Sequence, residues 1–119
     1  MLSRTWITII LIQSSMSFSQ FTQKDYEVIA RNYAELKEAA KKRCAGEQEL
    51  DVVQKAFDFA NEAHKNVRRR SGEPYMLHPI AVAKIVVNDI GLGYKSIAAA
   101  LLHDVVEDTD YTVDDIRHL

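Results

Sequence analysis

Residues 96–108 read SIAAALLHDVVED, and the fold class turns on how this stretch is read. Ala98 to Leu102 is an Ala/Leu-rich run of strong helix formers, so a helix is predicted from about Ser96 to Glu107 or Asp108. An apolar run of this kind is normally buried, yet it leads straight into His103-Asp104. A buried carboxylate without a partner is expensive. A cation beside it removes the cost, because imidazole and carboxylate are both good ligands for divalent metals. Between His103 and Asp115 the chain has six acids and no Lys or Arg. A run of like charge usually just faces water. The apolar lead-in sets His103-Asp104 apart from that reading.

Helical spacing adds a second point. Glu107 lies four residues after His103 and Asp108 four after Asp104, so each pair shares a helix face. If His103 and Asp104 hold a metal, Glu107 and Asp108 project towards the water on it, which is the arrangement hydrolysis needs. His78 is the third candidate ligand. A single His before a helix is also a common cap or packing residue, and an HD doublet alone is a weak signal. Together the residues are more specific, and they supply three ligands, one short of a tetrahedral set.

Outward from this point the chain reads as helices. Residues 22–43 form one, capped by Thr22 with Asp25 as the capping-box acid. Its stripe is Tyr26, Ile29, Ala30, Tyr33 and Leu36, and Gly46 suits the stop. A second runs from about Glu49 to Asn66 with the stripe Leu50, Val53, Phe57, Ala60 and His64. A loop from Val67 to Tyr75 follows. A third helix begins at His78-Pro79, with proline at the first helical position. Ile80, Val82, Ala83, Ile85, Val86 and Val87 make it apolar on most sides, so it is expected to be buried; Gly91 and Gly93 end it. Thr112 and Asp115 open a fifth. No segment alternates with period two for long enough to be a strand. The fold class is therefore all-α, with helices around one core.

Composition supports one small domain. The 119 residues carry 15 Lys+Arg against 17 Asp+Glu, and 47% are apolar. This is too hydrophobic for a disordered chain and lacks the basic excess of a general nucleic-acid binder. One cysteine, Cys44, excludes an internal disulfide framework and a multi-Cys zinc site. Residues 1–20 stand apart as an N-terminal extension or signal-like segment. Their apolar run, Trp6 to Ile12, is far short of a membrane span. It fits either a signal peptide cut near Ser17-Phe18-Ser19, which would mean export, or an extension preceding a true start at Met16.

Lys65, Arg68, Arg69 and Arg70 form a basic loop with no acid before Glu73. It reads either as a solvated loop or as a phosphate clamp, since Arg binds phosphate oxygens bidentately. Gly72 allows close backbone approach to a ligand. A basic loop beside an acidic metal site suits a substrate with several phosphates. His64 faces the core and suits a structural or outer-shell role rather than direct ligation. Tyr75 either packs or lines the pocket.

Ala63-His64, Arg69-Arg70-Ser71-Gly72-Glu73-Pro74-Tyr75, His78-Pro79-Ile80 and Ala100 through Thr109 together resemble the hydrolase domain of the RelA/SpoT homologue family, within the HD metal-dependent phosphohydrolases. The resemblance covers roughly residues 22–119. It implies an HD-type helical bundle, incomplete at its C-terminal side. The implied activity is Mn²⁺-dependent removal of the 3′-pyrophosphate of (p)ppGpp, giving GDP or GTP and pyrophosphate. In the family this belongs to a stringent-response synthetase/hydrolase. Carried over, His78, His103 and Asp104 are metal ligands, Glu107 and Asp108 activate the attacking water, and Arg69, Arg70 and Ser71 belong to the guanosine-nucleotide pocket. The implied partner is a guanosine polyphosphate, with no nucleic acid and no membrane, and the implied compartment is the cytoplasm. The family's fourth ligand, an Asp in a Leu-Ala-Asp-Arg-like helix, has no counterpart before Leu119. The chain is accordingly expected to be the N-terminal part of a longer protein. The alternatives are an HD phosphohydrolase of another nucleotide, or an inactive nucleotide-binding fragment.

Overall fold

A computed structural model of the chain describes residues 16–105. The element order is β1 (Met16–Phe18), α1 (Gln23–Lys41), α2 (Glu47–Ala63), β2 (Val67–Arg69), α3 (Leu77–Ile85) and α4 (Tyr94–Leu102). A π-helical turn, Val86–Ile90, extends α3. Helix α2 lies along α4, α4 against α3, and α1 against α3. Their shared core contains Leu36, Val53, Met76, Ile80, Ile97, Leu101 and Val105, all fully buried. Each such side chain contributes about 1.5–3 kcal/mol through burial.

Local chemistry explains most of the boundaries. The Thr22 side chain accepts from the Asp25 backbone N–H, and the Asp25 carboxylate accepts in return from the Thr22 N–H, giving the expected capping box. The buried face of α1 is Ile29, Tyr33, Leu36 and Ala40. Tyr26 is instead 41% exposed, one turn beyond the edge of the core. Tyr33 stacks on Phe57 at 3.7 Å between ring centroids and donates its hydroxyl to Gln54 at 3.0 Å, joining α1 to α2. Gly46 is the N-cap of α2 rather than the stop of α1, which ends five residues earlier.

Three expectations are corrected. Pro79 is the third residue of α3, not the first, because the Leu77 and His78 amides already close a turn onto the carbonyls of Pro74 and Tyr75. Helix α3 and its π-turn are not buried all round: Ile85 is 51% and Ile90 60% exposed. Neighbouring helices cover only the side carrying Pro79, Ile80, Ala83 and Val87. A strand pair was not expected, but β1 and β2 pair antiparallel with Ser17 opposite Arg68. Each strand is three residues long, too short for alternation to register, and its partner lies about fifty positions away in sequence. Asn66 makes the entry possible by taking a left-handed φ of 64°, which Asn tolerates better than most residues. Its carbonyl accepts from Ser19 N–H and its side-chain oxygen from Phe21 N–H. Residues 16–20, set apart in the sequence reading, are thus fastened onto the helical body.

Helix α4 begins at Tyr94, two residues before its predicted start. His103 keeps right-handed helical angles (φ −59°, ψ −30°). The predicted continuation to Glu107 or Asp108, the predicted helix at Thr112 and the apolar run Trp6–Ile12 all lie outside the described residues. Among the described residues no helix is long and apolar enough to cross a membrane.

Candidate metal centre

His78 occupies the second position of α3, where its N–H donates to the Tyr75 carbonyl at 2.9 Å. His103 and Asp104 stand at the C-terminal end of α4. The packing of Ile97, Ala98, Ala100 and Leu101 against α2 and α3 brings the pair to His78. The His103 Nε2 is 3.0 Å from Asp104 Oδ2, and the His78 Nε2 is 3.8 Å from the same oxygen. One donor atom from each of the three residues lies within 4.8 Å of the other two. The two imidazoles meet edge to face, 5.6 Å between centroids.

The donor set fits a divalent cation. Two donors held at about 2–2.2 Å from one ion stand roughly 3–4.4 Å apart, and the 3.0 and 3.8 Å separations fall inside that span. The tautomer of His103 also suits. Its Nδ1 lies 2.6 Å from the Ala100 carbonyl oxygen. A carbonyl only accepts, so Nδ1 carries a proton, and Nε2 is the ring nitrogen turned towards Asp104. Asp104 is 8% exposed, whereas the side chains of His78 and His103 are 36% and 38% exposed. The carboxylate is the floor of the site and the imidazoles form its rim.

Two further residues complete the floor. Tyr75 donates its hydroxyl to Asp104 Oδ2. His64, at the C-cap of α2, packs its ring 5.0 Å from that of Tyr75. It is 1% exposed, and neither ring nitrogen has a hydrogen-bond partner among the described residues. Burial pushes its pKa down to about 4; Asp104 opposes this, while His103 and His78 add to it. His64 faces inward as its stripe position predicted. The role of Tyr75 carries no sequence signal, since it meets Asp104 across 29 positions.

The basic loop divides. Arg68 is not available as a phosphate clamp: it pairs with Asp25 at 2.6 Å and donates to the carbonyls of Ser19, Gln20 and Gly72. Its guanidinium also sits 5.3 Å from the centre of the Phe21 ring. Arg69, Arg70 and Ser71 are exposed on the turn that follows. That turn is closed by Gly72 N–H donating to the Arg69 carbonyl at 2.8 Å, with Gly72 at φ 96°. The Ser71 hydroxyl donates to Glu73 at 3.2 Å. Glu107 and Asp108 lie outside the described residues.

Comparison with known proteins agrees with this geometry. The HD domain family matches residues 56–119. A guanosine-3′,5′-bis(diphosphate) 3′-pyrophosphohydrolase of Aquifex aeolicus is 43% identical over 70 residues, which is 59% of this chain and 10% of the relative. The bifunctional (p)ppGpp synthase/hydrolase SpoT of Escherichia coli is 44% identical over 73 residues, 61% of this chain and 10% of the relative. A probable GTP pyrophosphokinase of Mycobacterium leprae is 49% identical over 65 residues, 55% of this chain and 8% of the relative. The match therefore spans about a tenth of the length of these curated relatives. With two imidazoles and a carboxylate converging within the matched segment, the chain belongs to the HD domain family.

Proposed function

We propose that the chain carries the metal-holding part of a hydrolase that removes the 3′-pyrophosphate of (p)ppGpp, releasing GDP or GTP and pyrophosphate. The observation that carries this reading is the convergence of His78, His103 and Asp104, with the His103 Nε2 turned towards Asp104. The names of the Aquifex aeolicus and Escherichia coli relatives support the choice of substrate. A divalent cation at this triad, assigned as Mn²⁺, supplies Lewis acidity that polarises a phosphoryl oxygen and acidifies water.

The chain's own residues perform the rest. The triad offers two imidazoles and a single carboxylate, so it repels a polyphosphate less than three carboxylates would. Glu107 and Asp108 take the proton of the attacking water, which leaves pyrophosphate as the departing group. Arg69 and Arg70 pair with the phosphates that are not cut, and Ser71 hydrogen-bonds the nucleotide. The proposed compartment is the cytoplasm.

The test is pyrophosphate release from ppGpp by the chain with Mn²⁺, alongside dNTPs and NADPH as competing substrates. Release from ppGpp that disappears in His103→Ala and Glu107→Ala is the expected result. A fully active His103→Ala variant overturns the reading, and a preference for dNTPs redirects it to another nucleotide.

A further inference from the structure

Tyr75 touches two of the three triad residues while belonging to neither helix that carries them. Its hydroxyl donates to Asp104 Oδ2, the oxygen that faces both imidazole Nε2 atoms. Its ring lies 5.7 Å from that of His78, and its carbonyl accepts the His78 N–H at 2.9 Å. Its own N–H donates to the Val67 carbonyl at 2.8 Å, which ties it to β2. Tyr75 is 7% exposed, and the His64 ring packs against it at 5.0 Å between centroids.

We infer that Tyr75 is a positioning residue that aims the Asp104 carboxylate at the ion, and that His64 holds Tyr75 in this pose by packing alone. A carboxylate at the end of a helix can rotate about two side-chain bonds. A hydroxyl bonded to one oxygen removes that freedom before an ion arrives. Neither ring nitrogen of His64 makes a hydrogen bond among the described residues. Its contribution is therefore shape, which a phenyl ring can reproduce.

The inference rests on the triad being a metal site, and the experiment separates the two. Mn²⁺ is titrated into the full chain and the free-ion electron paramagnetic resonance signal is followed, with the metal-free melting temperature measured alongside. Wild type is expected to bind. Tyr75→Phe, which removes one oxygen, is expected to weaken binding by about 10- to 100-fold and to change the hyperfine pattern of the bound ion, which a purely structural role would not alter. His64→Phe is expected to bind like wild type, and His64→Ala to lose affinity because the Tyr75 ring loses its backing. If Tyr75→Phe does not fold, His64→Ala against His64→Phe carries the test through the same affinity readout. Wild-type affinity in Tyr75→Phe, or in His64→Ala where that pair stands in, overturns the positioning role and leaves the metal site standing. Absence of binding by wild type overturns both.

Discussion

His64 and Arg68 are four residues apart and treat their polar atoms in opposite ways. The Arg68 guanidinium has a carboxylate, three carbonyls and an aromatic face around it. His64 is more deeply buried and has no hydrogen-bond partner for either nitrogen among the described residues. Unpaired buried polar atoms cost about 1–3 kcal/mol, so their persistence calls for an explanation. Around Arg68 the protein has used its polar groups on itself, and the result is attachment of residues 16–25 to the body. Around His64, Tyr75 and the triad it has left imidazoles and a carboxylate facing one another. One region has its polar groups satisfied by the fold, and the other keeps the donor set that the proposed metal site uses.

Substitutions break this contrast if it is wrong. The largest expected effect is at the triad. Asp104→Asn removes the one carboxylate of the proposed triad, and Mn²⁺ binding should vanish from a calorimetric titration. The melting temperature should hold or rise, because a buried charge has been removed. A large fall in melting temperature with metal binding retained would place Asp104 in the structural region instead.

Acid should unfold the two regions in separate windows. The unfolded-state His64 binds a proton below about 6.5, while the folded one resists it down to about 4. Stability is therefore complete above pH 6.5 and falls by about 3 kcal/mol as the pH drops to 4. His64→Phe should remove this part of the slope. Asp25 behaves as the later group. The hydrogen bonds from Arg68 and Thr22 hold its pKa at about 2, so its contribution is lost only between about pH 4 and 2. Denaturant melts of the metal-free chain across pH 7 to 2 measure both, and a flat profile between 6.5 and 4 would remove the first.

Arg68→Ala is the converse of Asp104→Asn. It removes the cation beside Asp25, which keeps only its bonds from Thr22, and unties the carbonyls of Ser19 and Gln20, for a loss of about 2–3 kcal/mol with Mn²⁺ affinity unchanged. The smallest effect is expected at the exposed turn. Arg69→Ala and Arg70→Ala should leave melting and metal binding as they are and raise KM for ppGpp by about tenfold each, the worth of one charge-assisted contact. A loss confined to kcat would move these arginines from substrate binding to the chemical step.

Much of the site was legible because its parts are local. His103-Asp104 announces itself by following an apolar run, and His78 by standing at the head of a helix. The helical class follows from periodicity, since a 3.6-residue stripe needs only its own segment to be visible. The pairing of β1 with β2 was not legible, because it brings Ser17 opposite Arg68 from a distant part of the chain. Nor was the difference between Arg68 and its neighbours, since three consecutive arginines read alike until one of them acquires partners.

Taken alone, the order of residues determined which segments coil into helices, where Thr22 starts the first, and which side chains have the chemistry to hold an ion. Tertiary structure decided which of those side chains meet. It set the Tyr75 hydroxyl on Asp104 and left the His64 ring nitrogens without a hydrogen-bond partner among the described residues. It also assigned Arg68 to the scaffold while leaving Arg69 and Arg70 at the surface. The physical reason is range: helix propensity and capping act within about four residues, whereas burial and hydrogen-bond satisfaction depend on which distant segments arrive together.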